Sequence, residues 1–254
     1  MITLSTIVYE GNFDKVLSDG SWFMKFKSPL ISDKLLVVNN LISKERFLEK
    51  INDLIPKHHF KVIYVDELKD IAIKKYSLNI DEKTLGYYYT IPYFCLFESV
   101  KTKYVLNIAS DCMDDIKIDD VFLSTAIYEL ETNESCSTAM VAWTKNNCVM
   151  INNKKIGDIE NFETFRRLGV KETNSENFNY SFGFTDQFFM GNIYKLKKID
   201  YNIPEEISEK IYNGPPYGGN SFEKRMVGHQ IKNNLFNCIY KGDNYYIHDN
   251  NYHK

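Results

Sequence analysis

The feature that most constrains this chain is an alternation. Through about residue 145, short runs of β-branched and apolar residues take turns with segments whose apolar residues recur at helical spacing. Thr3–Val8 reads as a first strand ending at Tyr9-Glu10-Gly11, and a short helix around Phe13–Leu17 stops at Asp19-Gly20. Lys34–Asn40 reads as a second, buried strand. Ser43 is then placed as N-cap of a helix over Lys44–Leu54, with Phe47, Leu48, Ile51 and Leu54 on one face. Lys61–Asp66 is a third strand, Thr84–Val100 a helix buried on most sides, and Lys103–Ala109 a fourth strand stopping at Ser110-Asp111. Asp119–Glu131 follows as a helix and Ser137–Trp143 as another strand.

Strand and helix at this rhythm predict an α/β fold: a mostly parallel central sheet flanked by helices. Beyond residue 145 the pattern loosens into aromatics, asparagines and short helices, with Cys148–Ile151 a candidate hairpin arm. The whole chain is therefore expected to be one domain, with 1–144 the ligand-binding half and 145–254 an acceptor and lid half. The tail from Gly242 reads as a flap or a frayed end.

Composition narrows the function. The 254 residues include 18 Tyr and 17 Phe, enough to build a core. The net charge of −3 argues against nucleic acid as a partner. No apolar run reaches the ~20 residues of a membrane span, and Met1–Glu10 reads as a strand, not a signal peptide. The five cysteines are odd in number and none are spaced as CxxC, which predicts free thiols in a reducing cytoplasm. The glycine signatures of P-loop NTPases, dinucleotide oxidoreductases and α/β-hydrolases are missing from the sequence.

Open parallel sheets bind ligands beyond the carboxyl ends of their strands. Here those ends carry Tyr9-Glu10, Asn39-Asn40, Asp66 and Ser110-Asp111. The plain alternative is that strand ends meet solvent and are polar for that reason. Asp111 is the most informative: an apolar strand delivers its carboxylate at the tip, after a long buried helix and before an amphipathic one.

That arrangement resembles the GT-A glycosyltransferases, in which such a strand ends at a divalent cation and a nucleotide-sugar diphosphate. Ala109-Ser110-Asp111 stands where an Asp-x-Asp would be, so only Asp111 carries over as metal ligand, with Asp114 and Asp115 just downstream. The resemblance implies a Mn²⁺ or Mg²⁺ cofactor and a donor site of Tyr9, Glu10, Asn39, Asp66, Ser110 and Asp111 for a UDP- or GDP-linked sugar. Two later segments, Phe184–Gly191 and Pro215–Lys224, look like a pair found in glycosyltransferase-like proteins of capsule and lipopolysaccharide synthesis. They place Asp186 and Glu223 as catalytic carboxylates of an inverting transfer to a glycan or lipid-linked glycan, with either one as base. The alternatives are an N-cap at Asp186 for a helix over Gln187–Gly191 and a first-turn helix acid at Glu223. The clusters Lys154-Lys155, Arg166-Arg167 and Lys195–Lys198 read as solvated faces, or as contacts with a diphosphate or a membrane surface. His229 is an alternative metal ligand. Two other functions fit the same features: a nucleotide-sugar-binding protein without turnover, and a sugar-phosphate nucleotidyltransferase. The segment Tyr9–Phe13 after the first strand has a single glycine and no Lys or Arg, which counts against the latter.

Overall fold

A computed structural model describes residues 1–84, 86–112, 116–145, 175–211 and 221–248. An eight-stranded sheet organises them. Its strands are β1 (Ile2–Val8), β2 (Ile31–Val38), β3 (Lys61–Tyr64), β4 (Tyr104–Ile108), β6 (Cys136–Met140), β8 (Phe178–Ser181), β9 (Phe188–Asn192) and β10 (Phe236–Tyr240), in the order β3-β2-β1-β4-β9-β6-β10-β8. β9 and β8 run against the other six, so the expected mostly parallel sheet is what forms. A second, three-stranded sheet joins β5 (Ile116–Lys117), β11 (Tyr245–His248) and β7 (Ala142–Lys145).

The period-2 alternation of the strands divides the core into two layers. Leu36, Val38, Leu106, Ile108, Phe188 and Met190 face one side, while Leu35, Val37, Val105 and Phe189 face the other. The first layer is covered by α1 (Phe13–Val16), α2 (Trp22–Lys25), α3 (Lys44–His58) and α6 (Asp120–Thr132). The second is covered by α4 (Val65–Lys75), α5 (Tyr87–Ser99), α7 (Ile193–Leu196) and α9 (Phe222–Asn233), with α8 (Glu206–Ile211) beside α9. Leu35–Val38 of β2 and Tyr104–Leu106 of β4 are buried on both faces, which explains why both stretches are apolar throughout.

Much of the aromatic content converges on Phe222. Its ring stacks on Tyr93 at 4.5 Å and meets Phe94, Phe97, Phe184 and Phe189 within 6 Å. This packing fixes the first turn of α9, and so the direction of Glu223 beside it.

Three local expectations need correction. Gln187–Gly191 is not a helix: Phe188–Asn192 is strand β9, because its apolar residues fill the gap between β4 and β6 on both faces. The third strand ends at Tyr64, and Asp66 lies in the first turn of α4. Cys136 and Cys238 are joined as a disulfide across the neighbouring strands β6 and β10, Cα atoms 6.2 Å apart. Their separation of 102 residues hides the pair from any reading of local spacing. Cys95 and Cys112 are free and buried. Cys148–Ile151, Asp114, Asp115, Lys154, Lys155, Arg166, Arg167 and Pro215–Asn220 lie outside the described residues.

Candidate active site

A cleft of about 450 Å³ opens at the carboxyl ends of β1, β2 and β4. One wall is built by the turns that follow these strands. Beyond β1 the chain folds back, with the Asn12 and Phe13 N–H groups donating to the Tyr9 carbonyl at 3.0 and 3.1 Å. Asn12 returns the favour by accepting the Tyr9 N–H at 2.8 Å, and its amide nitrogen donates to the Ser110 hydroxyl. Tyr9, Ser110 and Asp111 are thereby tied into one rim. At the end of β2, the Asn39 amide donates to the Tyr88 carbonyl at 2.8 Å, holding the first turn of α5 over the cleft. Tyr88 and Tyr89 line this side and remain 47% and 45% exposed.

The floor is a buried polar chain. Ser5 of β1 donates to Asn107 of β4 at 3.0 Å, and Asn107 donates to the Asp186 carbonyl at 3.2 Å. Tyr93 of α5 donates to the same carbonyl at 3.3 Å. Asp186 stands just before β9. Its own N–H donates to Glu223 Oε1 at 3.1 Å, so the two acids meet across the cleft. Glu223 sits in the first turn of α9, whose Ser221 cap accepts the Lys224 N–H at 3.2 Å. The positive end of that helix favours a carboxylate there.

The electrostatics follow from burial and proximity. Desolvation raises the Asp186 carboxyl well above the usual carboxylate range, and the charge of Glu223 beside it pushes in the same direction, with Asp111 adding to it. Glu223 is raised as well by burial, but the Asp186 N–H and the Thr185 side chain stabilise its charged form. The pair therefore holds a proton on Asp186 more readily than on Glu223. Asp111 sits in a 3₁₀ turn over Ser110–Cys112, partly exposed on the cleft. Cys112 donates to its Oδ1 at 3.5 Å, and burial beside that carboxylate pushes the Cys112 thiol up, which leaves it inert.

The lining thus carries three acids and no Lys, Arg or His among the described residues. No three His, Cys, Asp or Glu side chains among them stand close enough to hold a metal ion. Asp186 and Glu223 are engaged with each other, and Asp111 stands partly exposed on the cleft as a hard-oxygen group. That set fits a cation that completes its shell from phosphate oxygens and water, and does not fit an all-protein cage.

No protein-family model matches the sequence, and no curated protein matches it. Solved structures do. The structure of GalNAc-T7 with UDP, GalNAc and Mn²⁺ superposes with a TM-score of 0.57 at 10% identity, over 98% of this chain and 43% of that one. The fold is that of the GT-A glycosyltransferases. Looser matches are Staphylococcus aureus TarS 1–349 in complex with UDP-GlcNAc (TM-score 0.48, 11% identity, 97% of this chain and 57% of that one) and glucosyl-3-phosphoglycerate synthase from Mycobacterium tuberculosis with phosphoglyceric acid (0.45, 11%, 98% and 72%). The chain spans less than two thirds of the GalNAc-T7 chain and of the TarS 1–349 chain.

Within this GT-A fold, the sequence-expected residues Tyr9, Asn39, Ser110, Asp111, Asp186 and Glu223 all line the one cleft. Glu10 and Asp66 do not. Glu10 turns toward α3 and accepts the N–H groups of Ile42 and Ser43 at 3.1 and 3.2 Å, where a helix start needs an acceptor. Asp66 is 87% exposed and pairs with Lys69 at 3.3 Å, a first-turn acid on α4. His229 hydrogen-bonds within α9 to Asn233 and does not line the cleft. Lys195 donates to the Leu130 carbonyl and Lys197 pairs with Glu98. Tyr88, Tyr89, Tyr93 and Gln187 line the site without having been singled out. The tyrosines were submerged in an apolar helix, where the only hint was the repeated Tyr87-Tyr88-Tyr89 at its start. Gln187 gave no signal beyond its place next to Asp186. Of the tail expected as a flap or a frayed end, Tyr245–His248 form β11, whose Tyr246 is fully buried and stacks on Phe188 at 5.3 Å.

Proposed function

We propose that this protein is a nucleotide-sugar-dependent glycosyltransferase. The reading is carried by one arrangement: a cleft at the strand ends of a GT-A fold with Asp111 accessible on one side and the Asp186–Glu223 pair on the other. A diphosphate entering a lining whose described residues carry three acids and no basic group needs its charge offset. Mn²⁺ or Mg²⁺, held by Asp111 and the phosphates, would supply that offset and favour departure of the nucleoside diphosphate. Mn²⁺ is present in the GalNAc-T7 structure.

The protein's own groups account for the rest. Tyr9, Tyr88 and Tyr89 offer ring faces to a uracil or guanine, and Ser110 a hydroxyl to the ribose or phosphate side. An acceptor hydroxyl attacks the anomeric carbon as the bond to the diphosphate oxygen breaks. Glu223, the acid more easily ionised, takes the hydroxyl's proton, while protonated Asp186 orients the reacting groups. One displacement inverts the anomeric centre. The acceptor is a glycan or a lipid-linked glycan. No described helix is long and apolar enough to cross a membrane.

Calorimetry and product analysis with UDP- and GDP-sugars, with and without Mn²⁺, test the proposal. Cation-dependent binding followed by nucleoside diphosphate release supports transfer. Binding without release favours the non-catalytic reading, for which Ala109 at the tip of β4 is the motivating residue. No binding of any member refutes both.

A further inference from the structure

The amino ends of the strands carry a second concavity, which the proposed reaction does not use. It is an open groove of about 970 Å³ between the end of α2, the segment Phe26–Pro29, the first residues of β2 and the end of α3. The cleft lies at the other end of β2, whose residues at about 3.3 Å each separate the two by roughly 20 Å. Their linings have opposite charge. The cleft presents three acids among the described residues, whereas the groove presents Lys25, Lys27, Lys34, Lys57, His58 and His59 against the single acid Asp33.

Pairing does not cancel this excess. Asp33 is held by Lys61 at 2.9 Å. Asp19, beside the groove, is shared by Lys57 at 2.6 Å and His58 at 3.1 Å. Asp120 accepts the Ser28 hydroxyl and does not line the groove. Lys25, Lys27 and Lys34 therefore have no carboxylate partner among the described residues. Lys34 is half-buried, and its ammonium donates to the Phe23 and Met24 carbonyls at 2.8 and 3.3 Å. An ammonium has three N–H donors, so one remains beyond those two. Burial, with the charge of Lys27 nearby, pushes the Lys34 ammonium down to about 8.

We propose that this groove is a phosphate-binding site, remote from the cleft, in which Lys25, Lys27 and Lys34 hold the phosphate monoester of a small molecule or of a lipid headgroup. Three uncompensated ammonium groups call for more charge than one carboxylate carries. A phosphate monoester brings close to two negative charges at neutral pH and three acceptor oxygens. Lysine binds such a group as a point charge, with no need of the planar fork of arginine. Phe26, half-buried in the groove wall and stacked on Trp22 at 4.4 Å, gives the organic part of the ligand an apolar surface. None of this depends on the glycosyltransferase reading.

The test is calorimetry at low salt, without metal, using inorganic phosphate and glycerol 3-phosphate. Lys25→Gln/Lys27→Gln is compared with wild type, with the charge-conserving Lys25→Arg/Lys27→Arg, and with Lys198→Gln/Lys232→Gln. The last removes two exposed lysines from the other face of the sheet and matches the change in net charge. Wild type, the Arg variant and the distant variant are expected to bind alike. Lys25→Gln/Lys27→Gln should bind at least tenfold more weakly with an unchanged melting temperature, since both side chains are exposed. Sedimentation with phosphatidylcholine vesicles, with and without phosphatidic acid, separates the two sources. Association with phosphatidic acid that glycerol 3-phosphate displaces identifies a lipid headgroup. Binding of glycerol 3-phosphate without vesicle association identifies a soluble phosphate ester. No binding of either anion, equal binding by Lys25→Gln/Lys27→Gln, the same loss in Lys198→Gln/Lys232→Gln, or vesicle association that glycerol 3-phosphate leaves intact would each overturn the proposal.

Discussion

Asp186→Asn should make the protein more stable at neutral pH, and by an amount that grows with pH. The native fold raises the Asp186 carboxyl well above its ordinary value near 3.8, through burial and the adjacent Glu223. The folded protein therefore keeps a proton that the unfolded chain gives up. For a group raised on folding, the stabilisation is fully present below the unfolded pKa and is lost as pH climbs toward the folded one. One proton corresponds to at most about 1.4 kcal/mol per pH unit. In a protein of this size about 1 kcal/mol moves the melting temperature by roughly 2–4 °C, so the wild type should lose up to about 3–6 °C per pH unit relative to the variant. Asn carries no titrating proton and still offers an N–H donor to Glu223. Differential scanning calorimetry of both proteins from pH 4 to pH 8 is the assay. The two melting curves should meet near pH 4 and separate steadily above it. Curves that stay parallel, or a variant less stable at pH 7, would show that Asp186 is ionised in the native protein and would remove the argument for Glu223 as base.

Glu223→Gln should lower transfer at least 100-fold while leaving nucleotide affinity within a few fold, measured by product release and calorimetry. Tyr89→Ala should weaken nucleoside diphosphate binding by about 1–3 kcal/mol if the exposed ring stacks on the base, read by titration. Phe222→Ala should cost about 3–5 kcal/mol by denaturant unfolding, since it empties the centre of an aromatic cluster. Glu10→Ala should cost about 1 kcal/mol through the start of α3 and leave nucleotide affinity unchanged, which separates its capping position from the cleft.

The parts of this fold that were legible in the sequence are those written by local pattern. β1, β2 and β4 announce themselves as β-branched runs, and Asp119, which accepts the Phe122 N–H at 2.9 Å, marks the start of α6. β9 was not legible. Phe188-Phe189-Met190 is apolar at every position because it is buried on both faces, and an unbroken apolar run of that length suits a helix as well as a strand. The Cys136–Cys238 pair depends on β10 returning beside β6, a long-range event with no local signature. In the site, Asp186 and Glu223 were named through the resemblance of their two segments to a glycosyltransferase pair, whereas Asp111 could be named because an apolar strand delivers it at its tip. Glu10 and Asp66 carry the same signal and end up at helix N-termini, since an acceptor near a helix start is drawn to its unpaired N–H groups. Tyr88 and Tyr89 could not be told from core residues, because which side of α5 meets solvent depends on what packs against it.

The central claim is that Asp111 and a divalent cation together hold a diphosphate at the end of β4. Titrating the wild type and Asp111→Asn with UDP and GDP, each with Mn²⁺ and with the metal chelated, addresses it directly. The account predicts that at least one nucleotide binds the wild type tenfold or more tightly with Mn²⁺ than without, and that Asp111→Asn abolishes this gain with no change in melting temperature. Equal affinity with and without the metal, or a full metal effect in the variant, would contradict it.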